Sequence, residues 1–179
     1  MTLRAGASEG EAIAAPIIVA AVFGGEDQAR FDRLRERWFP PARNQLAAHL
    51  TLFHHLPPSA LAELKHRLSQ ETRGVPAPRA TAAGLMSLGG GVAIRIEAPD
   101  LLAVRASIAD AFRGMLTPQD AAGWRPHVTV QNKVSAAEAK AALAEIERDF
   151  RPTPVVIAGL AAYYYRGGPW ERISRFMFA

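Results

Sequence analysis

Hydrophobic and polar positions alternate along this chain with two periods, and each change of period marks an element. The run Pro16-Ile17-Ile18-Val19-Ala20-Ala21-Val22-Phe23 is apolar throughout and ends at Gly24-Gly25, which predicts a buried strand. From Glu26 to Phe39 the apolar residues Phe31, Leu34 and Trp38 share one helical stripe, stopped by Pro40-Pro41. His49 to Leu56 reads as a second strand, ended by Pro57-Pro58. Ser59 is placed to cap a second helix from Ala60 to about Thr72, with Leu61, Leu64 and Leu68 inward.

The stretch from Gly74 to Arg79 is a proline-broken loop. Two strands follow, Ala80 to Leu88 and Val92 to Ala98, joined by Gly89-Gly90-Gly91 as a hairpin. That glycine run lacks the strand-to-helix setting and the Lys-Ser/Thr of a phosphate loop, so it reads as a turn. Asp100 opens a third helix to about Arg113, striped by Leu101, Val104, Ile108 and Phe112. Gly114 to Trp124 reads as a loop, and Pro126 to Gln131 as a strand. Ser135 caps a fourth helix, 136–150, with Glu138 completing a capping box. Pro154 to Tyr165 and Trp170 to Phe178 are the last strands, turned by Gly167-Gly168-Pro169.

A strand–helix–strand–helix–strand unit thus occurs twice when the hairpin is shared. No linker separates two independent domains. The expected fold is α+β and bilobal: two related lobes of antiparallel sheet with outer helices. Residues 1–14 read as a flexible N-terminal arm and 15–179 as one bilobal domain. The arm carries Arg4 but also Glu9 and Glu11, unlike a secretory leader, and no apolar run is long enough for a membrane helix. The expected location is cytoplasmic, with no membrane and no obligate protein partner.

Composition narrows the chemistry. The 179 residues include no cysteine, which excludes disulfides, thiolate metal sites and a cysteine nucleophile. Of 21 basic residues only Lys65, Lys133 and Lys140 are lysines; the rest are arginine, suited to bidentate pairing with phosphate. The net charge of +4 favours anionic partners weakly, and short substrates over long RNA.

One sequence echo carries the chemistry. Ala48-His49-Leu50-Thr51-Leu52 matches Pro126-His127-Val128-Thr129-Val130, about half a chain apart. Alternation puts His and Thr on one strand face and the apolar pair on the other. Two such strands in two lobes form a central groove lined by two His-x-Thr faces. Imidazoles titrate near neutrality, so one serves as base and another as acid, while threonine hydroxyls donate to phosphoryl oxygens. The set suits attack on a phosphodiester, with His49 and His127 catalytic and Thr51 and Thr129 binding phosphate. Two histidines without carboxylate or thiol neighbours make a poor metal site, so neither metal nor cofactor is expected.

On these residues the chain resembles the 2H phosphoesterase superfamily, and within it the bacterial 2′-5′ RNA ligase-like proteins. The segment Tyr163-Tyr164-Tyr165-Arg166-Gly167-Gly168-Pro169-Trp170 also resembles C-terminal segments of small members. The resemblance spans residues 16–178. It implies opening of 2′,3′-cyclic phosphates to 2′-phosphates, with RNA 3′ ends or small cyclic nucleotides as substrates and reversible 2′-5′ ligation in some members. It further implies His49 as proton donor and His127 as acceptor, an order that the residues themselves leave open.

Further substrate contacts are expected from position. Arg125 precedes the second motif and can clamp a phosphate. Gln131 follows Thr129 on the same face, with Lys133 one step beyond. Phe53 and His55 share the face of His49 and Thr51, while His54 and His55 close the strand near solvent. Tyr165 and Trp170 are candidates for base stacking. Two other functions fit the same residues: a non-catalytic module that binds RNA ends, and a phosphodiesterase of ADP-ribose cyclic phosphates. Turnover of a cyclic phosphate separates the first from an enzyme, and substrate size separates the second.

Overall fold

The computed structural model describes residues 14–179. Of the arm expected at 1–14, residues 1–13 lie outside the described residues. Within them the strands are β1 (Ile17–Phe23), β2 (Thr51–Leu56), β3 (Arg79–Ser87), β4 (Val92–Glu97), β5 (His127–Gln131), β6 (Thr153–Tyr164) and β7 (Glu171–Met177). The helices are α1 (Gly25–Trp38), α2 (Leu61–Thr72), α3 (Pro99–Ala111), α4 (Pro118–Ala121) and α5 (Ala136–Asp149). No helix among the described residues is long and apolar enough to cross a membrane.

All pairings are antiparallel, in the order β2-β1-β6-β3-β4-β5, with β7 also on β6. The twelve-residue β6 belongs to both lobes. Its first part, 153–156, pairs with β3, and its second, from Ile157 on, pairs with β1 and β7. One lobe is therefore β2-β1-β6-β7 and the other β6-β3-β4-β5. The two motif strands, β2 and β5, are the matching edge strands of the two lobes.

β1, an unbroken apolar run, is buried almost throughout between β2 and β6. The helical stripes meet the sheets as their spacing predicts: Phe31, Leu64, Leu68, Leu101, Ile108 and Phe112 are all in the core. Each large apolar side chain so buried contributes about 1.5–3 kcal/mol. α1 follows β1 in the chain yet packs against β5 of the other lobe. The lobes are thus interlocked.

The local signals met their partners in two places. Ser135 accepts from the Glu138 N–H at 3.1 Å, while Glu138 accepts from the Ser135 N–H at 2.9 Å. The Gly89–Gly91 hairpin closes with Leu88 N–H donating to Gly91 O at 2.9 Å. Gly89 has φ +80°, and a Cβ on Gly91 would collide with the Gln131 carbonyl, so the turn demands glycine there.

Two expectations fail locally. Ser59 does not cap α2: residues 58–60 form a 3₁₀ turn that runs directly into Leu61. Pro57-Pro58 fixes backbone angles that open that turn instead. The segment 114–124 is not all loop, since it holds α4, whose N-cap Thr117 accepts from the Asp120 N–H. Thr-Pro is an N-cap followed by a proline at the first helical position.

Candidate active site

Both motifs obey strand alternation. Leu50, Leu52, Val128 and Val130 are fully buried, while His49, Thr51, His127 and Thr129 are half-buried on the other face. All four polar side chains line one cleft of about 350 Å³ between the lobes. Arg125 and Trp170 line it too.

The two histidines are held alike. His49 Nδ1 lies 2.9 Å from Ala47 O, and His127 Nδ1 lies 2.7 Å from Arg125 O, each the carbonyl two residues back. A carbonyl only accepts, so each Nδ1 carries the proton and Nε2 is left for a ligand. The Trp170 ring packs on His49 with centroids 4.5 Å apart and planes at 54°, and Tyr163 backs Trp170 at 5.5 Å. Burial holds the His49 pKa below the ordinary histidine value; the bond to Ala47 opposes this, and Arg35, His127 and His54 add to it.

Two buried arginines support the motif strands from opposite lobes. Arg35 on α1 donates through Nη1 to Thr129 O on β5 at 3.0 Å and through Nε to Asn44 Oδ1 at 3.1 Å. Arg105 on α3 donates through Nε to Leu52 O on β2 at 3.0 Å and through Nη2 to Asp120 O at 2.6 Å. Burial lowers both pKa values, with Asp32 and Asp120 opposing, but a guanidinium starts so high that each stays charged. Trp124 Nε1–H donates to Thr51 O at 2.9 Å, so side chains, not a further strand, satisfy the outer edge of β2.

Asp120 completes that edge. Its carboxylate, 1% exposed as a residue, accepts from the His54 and His55 backbone N–H groups and from His54 Nδ1 at 3.0 Å. Burial pushes its pKa up, but these bonds outweigh it and hold the carboxyl below its usual range. Arg105 also stacks on Phe53 at 4.7 Å and on Trp124 at 5.6 Å.

Several expected contacts are corrected. Phe53 is 0% exposed and belongs to the core, and His54 lines the cleft instead. Val19 pairs with Phe53 and Ala20 with Thr51, so Leu52 is an extra residue in a bulge. The bulge sends Phe53 inward and His54 outward, a known way of re-aiming side chains beside a site, and a second register shift before Leu56 leaves His55 exposed and Leu56 buried. Gln131 is 5% exposed and does not line the cleft; β5 ends there, and Lys133 at φ 63° turns away from strand geometry. Tyr165 lines a neighbouring depression of about 300 Å³ with Arg35, Arg43 and Asn132, which shares His49, Thr129 and Trp170 with the cleft. Among the described residues no group of three or more His, Asp or Glu is gathered to hold a metal ion.

Sequence reasoning misses Arg35, Arg105, His54, Asp120 and Trp124 as site residues. A signal exists for two of them. Arg35 stands four residues after Phe31, and Arg105 four after Leu101, so each occupies an inward position on its helical stripe. A charge there needs buried partners.

With this geometry in place, comparison with known proteins is direct. The profile of the 2′-5′ RNA ligase superfamily matches residues 23–169. The chain belongs to this superfamily, the 2H phosphoesterases. Among solved structures it is similar to Escherichia coli LigT complexed with 3′-AMP, at 17% identity and TM-score 0.61, covering 93% of this chain and 99% of that one. It is also similar to TT0787 of Thermus thermophilus, at 16% identity and TM-score 0.59, covering 91% and 97%. A third similar structure, a phosphoesterase, has 17% identity and TM-score 0.59, covering 93% and 99%. At these identities the likeness is one of fold. No curated protein matches the chain.

Proposed function

We propose that the protein is a metal-independent phosphoesterase that opens 2′,3′-cyclic phosphates of RNA ends or nucleotides to 2′-phosphates. The observation that carries this reading is the convergence of His49, Thr51, His127 and Thr129 on one cleft, with both Nδ1 atoms tied to backbone carbonyls. Membership of the superfamily supports the reaction class. The LigT structures with 3′-AMP, NADP+ and ATP support a nucleotide-sized ligand in a fold of this kind.

In the proposed reaction Thr51 and Thr129 donate to the non-bridging oxygens of the cyclic phosphate. His127 takes a proton from water as the water oxygen bonds to phosphorus. The bond from phosphorus to the ribose 3′ oxygen breaks, and His49 gives that oxygen a proton. One proton enters the protein and one leaves, and the product is a 2′-phosphate. A lowered pKa makes His49 a stronger acid once protonated, and the negative phosphate helps to bring that proton on. With a nucleoside 5′-hydroxyl in place of water, the same steps form a 2′-5′ linkage, and run backwards they cleave it to the cyclic phosphate and the free hydroxyl.

The test is to incubate the protein with adenosine 2′,3′-cyclic phosphate and EDTA and to follow the product by phosphorus NMR, with His127→Ala alongside. A 2′-phosphate from the parent alone is expected. Tight binding without turnover would favour a module that binds RNA ends. Turnover confined to an ADP-ribose cyclic phosphate would move the substrate class, and product lost on adding EDTA would overturn the metal-free mechanism.

A further inference from the structure

β2 carries a third histidine into the cleft, and β5 carries no counterpart. Thr51 pairs with Ala20 and Phe53 with Val19, so Leu52 adds no step along the strand. Leu52 and Phe53 are both fully buried, and His54 is the next residue on the cleft face. His54 thus stands two ladder steps beyond Thr51, about 7 Å, as His49 stands before it. On β5 the same place past Thr129 falls to Gln131, which is 5% exposed and does not line the cleft. The likeness of the two motif strands therefore ends at His54.

His54 is also held differently from the motif histidines. Their Nδ1 atoms face backbone carbonyls, whereas His54 Nδ1 lies 3.0 Å from Asp120 Oδ1. The Asp120 side chain is 0% exposed, and its oxygens also accept from the His54 and His55 backbone N–H groups. Arg105 donates to the Asp120 carbonyl at 2.6 Å, and Thr117 caps the short helix that bears this residue. A buried carboxylate calls for a cationic partner, and His54 is the basic side chain bonded to it. With Nδ1 given to Asp120 and the side chain 40% exposed, Nε2 is the ring nitrogen left for a ligand. An imidazolium donates from both nitrogens, so the same ring serves Asp120 and an anion at once.

Thr51 lies between His49 and His54 on one strand face, so a phosphate on its hydroxyl has an imidazole on either side. In the proposed reaction His49 serves the leaving oxygen. A fixed, charged donor on the other side favours the transition state, in which charge gathers on the phosphoryl oxygens. We infer that His54, oriented by Asp120, is a third phosphate-contact residue of the cleft, its Nε2–H donating to a non-bridging oxygen of the phosphate held by Thr51. The inference rests on the phosphoesterase reading and adds to it a residue outside both His-x-Thr motifs.

The test sets two variants against each other. The amide nitrogen of asparagine falls near the place of Nδ1, and that of glutamine near the place of Nε2. His54→Asn therefore keeps the bond to Asp120 and loses the donor to phosphate, and His54→Gln does the reverse. With adenosine 2′,3′-cyclic phosphate, His54→Asn should lower kcat/KM by about tenfold to a hundredfold, the effect of one charge-assisted hydrogen bond. His54→Gln, with a neutral donor of about half that strength, should recover about half of the loss on a logarithmic scale. A merely structural His54 gives the opposite order, because asparagine alone keeps Asp120 bonded. His54→Asn as active as the parent, or no less active than His54→Gln, overturns the inference. If no cyclic phosphate turns over, the catalytic reading fails separately, and affinities for adenosine 2′-phosphate by calorimetry are then read in the same way. The unaltered protein gives a check that needs no variant to fold. On titration with inorganic phosphate, the His54 ring nitrogens should shift in NMR together with those of His49 and His127, and a His54 resonance that stays still overturns the inference.

Discussion

Trp170, just before the last strand, packs its ring 4.5 Å from that of His49, the first motif histidine. The contact joins two segments of one lobe that are far apart in sequence, and Tyr163 on β6 braces it from behind. Trp170 is thus placed both to hold the His49 ring and to offer an aromatic face to a ligand. Aromatic pairs of this kind contribute about 0.5–1.5 kcal/mol beyond area burial. Trp170→Ala is expected to lower kcat/KM by a few-fold to about tenfold, and Trp170→Phe to recover most of it, in steady-state assays of the cyclic phosphate.

Replacing either proposed proton carrier tests the chemistry directly. His49→Ala and His127→Ala should each lower kcat by about 10²–10⁴-fold, the range of general acid–base help. Both residues sit half-buried on the cleft, so melting temperatures should stay close to that of the parent.

The order of acid and base shows in what each variant leaves behind. Without His127, residual activity depends on protonated His49. Its pKa is depressed by burial, so that activity should fall as pH rises through a value below the ordinary 6.5. His49→Ala should lack that fall. A fall present in His49→Ala and absent from His127→Ala in pH–rate profiles would exchange the two roles.

The cross-lobe arginines carry a stability prediction. Arg105→Met leaves the Leu52 and Asp120 carbonyls without their donor in a buried place, a cost of about 1–3 kcal/mol. For a chain of this size that lowers the melting temperature by roughly 2–12 °C, measurable by calorimetry. Arg35→Lys should not restore the parent, because a single ammonium lacks the planar fork that reaches both Asn44 and Thr129.

Asp120 links stability to acid. Its folded pKa lies below its unfolded value, so its contribution is complete above the ordinary carboxylate pKa of about 3.9. The contribution is lost as pH falls through the lower, folded value. Asp120→Asn should therefore melt below the parent at pH 7, and the gap should narrow with acidification below about pH 4. A gap independent of pH in thermal melts would contradict the role assigned to its charge.

The legible part of this protein is the local part. Strand alternation in His49-Leu50-Thr51-Leu52 and His127-Val128-Thr129-Val130 is a property of neighbouring residues, and both segments bury their apolar pairs as the pattern requires. The helical stripes and the Ser135–Glu138 cap are likewise local. Phe53 and Gln131 show where such reading stops. Continuing the alternation one step further assigns each to the cleft, and each is buried. For Phe53 the cause is a bulge set by pairing with β1, and for Gln131 it is the end of β5.

The strands, the four long helices, the two-lobe repeat and the two His-x-Thr faces follow from the order of residues alone, because side-chain period and turn chemistry act within a few positions. That His54 and not Phe53 follows Thr51 into the cleft emerges only from the assembled fold. So do the exchange of Arg35 and Arg105 between lobes, the burial of Asp120 under His54, and the seat of Trp170 on His49. Each of these depends on which distant segment supplies a partner for a backbone or charged group that has left water. That choice is made when the lobes interlock, and no local pattern records it.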